Sequence, residues 1–184
     1  PSTEETTLID EARADLASLL GSFQSIELAT VDGSGQPNAS YAPALIDDER
    51  NFYVYVSALA EHTENLRVTG QASVLVIEDE TLSDQIFARK RVSLMCTASR
   101  IERHSEAWEA RLDDFTDKFG NLVKHLRKME DFQLFQLVPQ SGRLVTGFGR
   151  AFDLSGPGMR ELRHAGGADG KGHVTEKSEA GKGH

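Results

Sequence analysis

Four groups of residues in this 184-residue chain carry side chains suited to chemistry. The C-terminal stretch "GPGMRELRHAGGADGKGHVTEKSEAGKGH" holds His164, His173 and His184 among glycines and polar residues. A neutral imidazole nitrogen can bind iron or another transition metal, and a histidine on a Gly-rich arm can be carried to a metal bound elsewhere. From Leu154 to His173 is 19 residues, and a flexible chain of that length spans about 24 Å root mean square. Asp131 heads the apolar run "DFQLF", where a carboxylate stands at the start of a strand. Arg89, Lys90 and Arg91 stand together in "FARKRVSL"; on a strand, alternation sends Arg89 and Arg91 to one face, where they can grip carboxylates or another anion. His62 and Asn65 sit in "HTENL", on a segment of helical spacing. Each group also has a plainer reading: solvated tail residues, a strand-edge carboxylate, a charged rim that blocks edge pairing, and a histidine that packs or caps.

These residues need elements to hold them. "TTLIDEARADLASLL" spaces Leu8, Ala12, Leu16 and Leu19 as a helix, with Gly21 as its stop. "SFQSIELATVDGSGQPNASYAPALI" reads as two strands around a Gly-rich turn at Asp32 to Pro37, and "NFYVYVS" as a third. A helix follows in "ALAEHTENLRV", with Leu59, His62 and Leu66 on one side. "ASVLVIED" and "RVSLMCTASRIER" are strands, and "SEAWEARLDDFTDKFGNLVKHLRKM" is helical with a break near Gly120. "DFQLFQLVP" and "GRLVTGFGRAFDL" read as two closing strands. About seven strands in hairpin order predict an α+β fold with a closed or split antiparallel barrel and flanking helices. The expected divisions are an N-terminal helical arm over 1–20, a barrel domain over 21–155 and a flexible Gly-rich tail over 156–184.

Composition narrows the partners. With 29 Asp+Glu against 20 Lys+Arg, the net charge of -9 disfavours nucleic acid. The single cysteine, Cys96, lies among alternating apolar residues and reads as a buried packer; an intrachain disulfide and a CxxC metal site are both impossible. Apolar runs fall short of the roughly 18 residues a membrane span needs, and the N-terminus lacks a signal-peptide pattern. The expectation is a cytoplasmic protein with no membrane association. No Ser-His-Asp order, HExxH, paired carboxylates or Walker motif is present.

The segments "LATVDGSGQPNASYAPAL", "HTENL", "IEDETLSDQIFARKRVSL", "DFQLFQLVP" and "GRLVTGFGRAFDL" resemble, in order and spacing, the HugZ/HutZ heme-utilization family over roughly residues 20 to 155. That family sits among the flavin-reductase-like split barrels related to pyridoxamine 5'-phosphate oxidase. The resemblance implies a homodimer that binds heme between its subunits. It also implies oxidative opening of the heme ring with release of iron, fed by an electron donor. It points to His173, or else His164, as the axial ligand of the heme iron, Asp131 as acceptor for that histidine's other nitrogen and Arg91 as a distal-side arginine. Arg89, His62 and Asn65 become further cleft residues. The wider superfamily implies an alternative, an FMN-dependent oxidoreductase, and a third, non-catalytic reading is a heme carrier or storage protein with the same pocket. Where its oxidases grip the flavin phosphate, this chain has Glu61, His62 and Thr63, and a carboxylate there repels a dianion.

Overall fold

The computed structural model describes residues 1–166. In order along the chain come α1 (Thr3–Ser22), β1 (Ser25–Val31), β2 (Pro37–Ile46), β3 (Phe52–Ser57), α2 (Glu61–Thr69), β4 (Gln71–Ile77) and β5 (Arg91–Ile101). They are followed by α3 (Glu106–Phe119), α4 (Asn121–Leu126), β6 (Phe132–Gly147), β7 (Arg150–Ser155) and β8 (Glu161–His164). Short 3-10 turns occupy Glu80–Leu82, Ile86–Ala88 and Pro157–Met159.

The sheet runs β3-β2-β1-β4-β5-β6-β7-β8, and β3 also pairs with β6. The first six strands therefore close into an antiparallel barrel, and β7 and β8 extend from β6 as a ribbon. Alternation builds the interior: Ile26, Leu28, Val74, Val76, Val92 and Leu94 are buried, while their strand neighbours face outward. Closure removes the free edges that an open six-stranded sheet would expose. A second core forms where Trp108, Leu112 and Phe115 of α3 pack with Val123 and Leu134.

Three expectations change. Pro139 does not end a strand. "DFQLFQLVP" and "GRLVTG" are one 16-residue strand, β6, and Pro139 faces Cys96 where the β5–β6 register shifts between Met95 and Cys96. A bulge tolerates a residue with no N–H to give the ladder. The first helix is no arm, because Ala12, Leu16, Leu19 and Leu20 are buried in the main core. The sheet also continues past residue 155. β8 pairs with β7 through Phe152↔His164 to Ser155↔Glu161, so His164 belongs to the folded body. His173 and His184 lie outside the described residues.

Helix α2 begins later than its sequence suggests. Leu59 is 91% exposed in the turn before it. The helix stops at Gly70, whose left-handed φ of 63° lets its N–H reach the Leu66 carbonyl. Among the described residues, no helix is long and apolar enough to cross a membrane.

Candidate functional site

The predicted site residues divide between two ends of the barrel. At one end, the β3–α2 junction gathers Asp131, His62 and Asn65. Asp131 sits one residue before β6; its carbonyl accepts from the Ala58 N–H at 2.7 Å and its carboxylate from the Ser57 hydroxyl at 3.1 Å. Ser57 is held in turn by Thr63, which donates to its carbonyl. Asp131 itself is exposed, so its second oxygen is open to another donor.

His62 is half-buried, with Nδ1 2.9 Å from the Ser40 hydroxyl. Ser40 spends its own proton on the Leu28 carbonyl at 2.9 Å, so Nδ1 of His62 must be the donor and Nε2 keeps its lone pair. Burial lowers the pKa of His62, favouring this neutral form. Asn65 is buried, 7% exposed, and donates to the Thr30 hydroxyl at 3.0 Å. This bond pins α2 to β1. Glu61 accepts from Asn38 at 2.8 Å, which fixes its carboxylate.

The cations occupy the opposite end. Only Arg91 belongs to β5; Arg89 caps the Ile86–Ala88 turn, so strand alternation does not put the two on one face. Arg89 donates from Nε to the Glu78 carbonyl and meets Glu80 at 3.4 Å. Lys90 is paired with Asp15 of α1 at 2.7 Å. Arg91 has no carboxylate within 4 Å among the described residues; it donates to the Arg89 carbonyl at 2.8 Å and keeps its other donors.

A feature the sequence reading missed stands beside these cations. Leu82, Ile86 and Phe87 are 74%, 54% and 83% exposed in the β4–β5 connection. The apolar pair of "DQIFARKR" in a polar loop was the signal for it. The outer barrel face nearby is also apolar and lightly built. Ala39↔Ala29↔Ser73↔Met95 and Tyr41↔Glu27↔Leu75↔Ser93 run across β2, β1, β4 and β5, with Tyr41 and Met95 more than half exposed. A cleft of about 500 Å³ lies between α1 and the ends of β1 and β4. Asp15, Glu27, Glu78 and Asp79 line it together with Arg89 and Lys90.

One chain does not bring the two ends together. Asp131 adjoins Phe132, whereas Arg91 pairs with Val145, and the intervening length of β6 is roughly 40 Å of strand. His164 is near neither end group. It lies three strand spacings, about 14 Å, across the sheet from Val92. Its Nε2 is 2.7 Å from the Gly149 carbonyl and so carries the proton, and its ring meets Phe152 edge-on. Measured from the end of β8, only nine residues lead to His173, a reach of at most about 30 Å.

Residues 12–146 match the family described as pyridoxamine 5'-phosphate oxidase. Heme oxygenase HutZ of Vibrio cholerae serotype O1 (strain ATCC 39315 / El Tor Inaba N16961) is 40% identical over 141 residues, covering 77% of this chain and 80% of that protein. This chain belongs to the HugZ/HutZ family. The crystal structure of V. cholerae HutZ, there described as a heme storage protein, superposes with a TM-score of 0.66 at 38% identity, over 69% of this chain and 89% of that one. Campylobacter jejuni ChuZ gives a TM-score of 0.78 at 29% identity, over 91% of this chain and 66% of its own. In this member of the family the six-stranded barrel continues into the β7–β8 ribbon, and α1 packs on its core.

Proposed function

We propose that this chain is a heme-binding protein of heme utilization that opens the heme ring as a cytoplasmic homodimer with a site shared between chains. The observation that carries the reading is the amphiphilic surface at the start of β5. Exposed Leu82, Ile86 and Phe87 stand beside Arg91, whose donors are largely unspent. A flat apolar ring bearing two carboxylates matches that pairing of apolar and cationic surface. The similarity to HutZ, named a heme oxygenase, supports heme as substrate. A flavin phosphate has less to hold it, because the segment resembling the oxidases' phosphate grip carries the carboxylate of Glu61, fixed by Asn38.

The residues take distinct parts. His173 supplies an imidazole nitrogen to the heme iron, and the exposed carboxylate of Asp131 accepts the ring's other N–H, orienting it and making it a stronger donor. Bound heme supplies the iron centre at which dioxygen, with electrons from an external donor, can be turned on the ring itself. Arg91 would hold negative charge of the bound ring, such as its carboxylates. His62 offers its unprotonated Nε2 as a proton acceptor. The roughly 40 Å of strand between Asp131 and Arg91 supports assembly of the site from the Asp131 of one chain and the Arg91 of another. The exposed outer face around Tyr41 and Met95 supports the same pairing.

The test is a hemin titration followed by absorption, with light scattering on the same sample. A sharp one-to-one Soret end point and twice the 20.2 kDa chain mass are expected. His173→Ala should shift the Soret band and weaken binding, and His184→Ala should not. Loss in His164→Ala alone moves the ligand to His164. Addition of ascorbate to the hemin complex in air then separates the two roles. Bleaching of the Soret band with iron release means ring opening, and an unchanged spectrum means storage. Flavin absorbance after adding FMN, without stoichiometric hemin binding, would overturn the heme reading.

A further inference from the structure

Three further arginines converge between α1, the β2–β3 turn and β8. Arg13 comes from α1, Arg50 from the β2–β3 turn and Arg160 from the turn before β8. With Leu16 and Leu162 they line a cavity of about 170 Å³. None has a carboxylate oxygen within 4 Å among the described residues. In a chain of net charge -9 carboxylates are plentiful, yet the nearest ones are turned to other uses. Asp47 is spent on the Asn51 N–H and Tyr53 hydroxyl, and Asp48 presents only its carbonyl to Arg160.

The guanidiniums are instead tethered by backbone carbonyls. Arg13 donates to the Arg160 carbonyl at 2.6 Å, Arg50 to those of Gly158 and Met159 at 3.3 and 3.4 Å, and Arg160 to that of Asp48 at 2.6 Å. Each tether uses one nitrogen of three, so the groups are oriented and most of their donors remain available. Burial and the two neighbouring positive charges lower the pKa of Arg50, as three unneutralised cations in one place require. Arg50 also holds a φ of 64°, a conformation glycine or asparagine adopts at less cost.

From this geometry we infer that Arg13, Arg50 and Arg160 form a binding site for the phosphate group of a small molecule. A single carboxylate is matched by one guanidinium fork; three converging forks match a tetrahedral dianion with more acceptor positions. The cavity admits one such group and not a macrocycle. It is separate from the Lys90–Asp15 side of α1, since residues 13 and 15 point about 200° apart around a helix. A bound phosphate would clamp three segments that are distant in sequence.

The test follows inorganic phosphate by 31P NMR line width, titrated into the full chain at constant ionic strength with chloride as balance. The wild type should broaden the signal saturably. The Arg13→Gln/Arg160→Gln double variant should weaken binding at least about tenfold, and Arg67→Gln, which breaks an exposed pair with Glu64, should leave it unchanged. Phenyl phosphate in place of inorganic phosphate shows whether a monoester is preferred to the free ion. Circular dichroism checks folding; if the double variant is unfolded, Arg160→Lys must weaken phosphate several-fold for the proposal to stand. Hemin binding should be the same in all variants. No saturable broadening, equal binding in a folded double variant, or loss of hemin binding with loss of the arginines would each overturn the site.

Discussion

Replacing Asn65 separates a structural role from a site role. Its side-chain amide donates to Thr30, which is 3% exposed, at 3.0 Å in the contact between α2 and β1. Asn65→Leu keeps the volume and removes the donor, leaving the Thr30 hydroxyl without a partner in a dry contact. An orphaned buried group costs about 1–3 kcal/mol, so the expected loss is about 2 kcal/mol. For a chain of this size, that lowers the melting temperature by about 4–8 °C. Thr30→Val should cost a similar amount, because it strands the amide. The double variant removes both partners and should cost little more than either single, a coupling of roughly 1–2 kcal/mol. Urea denaturation with unchanged m-values measures all three. Additive single effects, or singles within about 0.5 kcal/mol of wild type, would refute the hydrogen bond as a stabilising contact. Hemin titration of Asn65→Leu closes the question: lost binding at full stability would put Asn65 in a ligand cleft after all.

Cys96 is 5% exposed and burial pushes its thiol up to about 12, so native protein at pH 8 should resist iodoacetamide and react only after urea is added. A Cβ on Gly142 would lie 2.6 Å from the Leu94 side chain and 3.1 Å from the Ser93 carbonyl; Gly142→Ala should therefore destabilise by about 1–3 kcal/mol in chemical denaturation. The lowered pKa of His62 means the unfolded chain takes up its proton first as pH falls. Its contribution is intact above the unfolded value near 6.5 and is lost as pH drops through that value toward the folded one. His62→Gln should flatten this part of the stability–pH curve, and an unchanged curve would remove His62 as its source.

The barrel was legible because its strands alternate and its turns are marked by Gly, Asp and Pro. Leu59 misled because helical spacing says nothing about where a helix starts; the Ala60 cap leaves Leu59 outside. Pro139 misled because proline commonly ends a strand, and a bulge two strands wide is not written in either segment alone. Tyr53 is buried because the α3 insert covers that side of β3, and its hydroxyl bonds to Asp47 at 2.8 Å; a segment about 55 residues away in the chain is not written in the alternation of β3. Asp131, His62 and the cations were readable as types, yet their division between opposite ends of the barrel depends on the β6 register, which local pattern does not encode. The Arg13, Arg50 and Arg160 cluster left no sequence trace, since its members are 37 and 110 residues apart in the chain.

The long strand β6 also sets the timing of folding. β3 finds its second partner only in β6, with Ser57 pairing Phe132 across 75 residues of chain. At about 5–20 residues per second of synthesis, "FYVYVS" waits roughly 4–15 s with one edge unpaired. A short β-rich segment left in that state is a template for pairing with another nascent copy. The β1–β2 and β4–β5 hairpins can form locally during that interval, but the seam between β3 and β6 cannot. Holding a ribosome at residue 130 should therefore yield chains that bind a chaperone, whereas chains released beyond residue 147 should not.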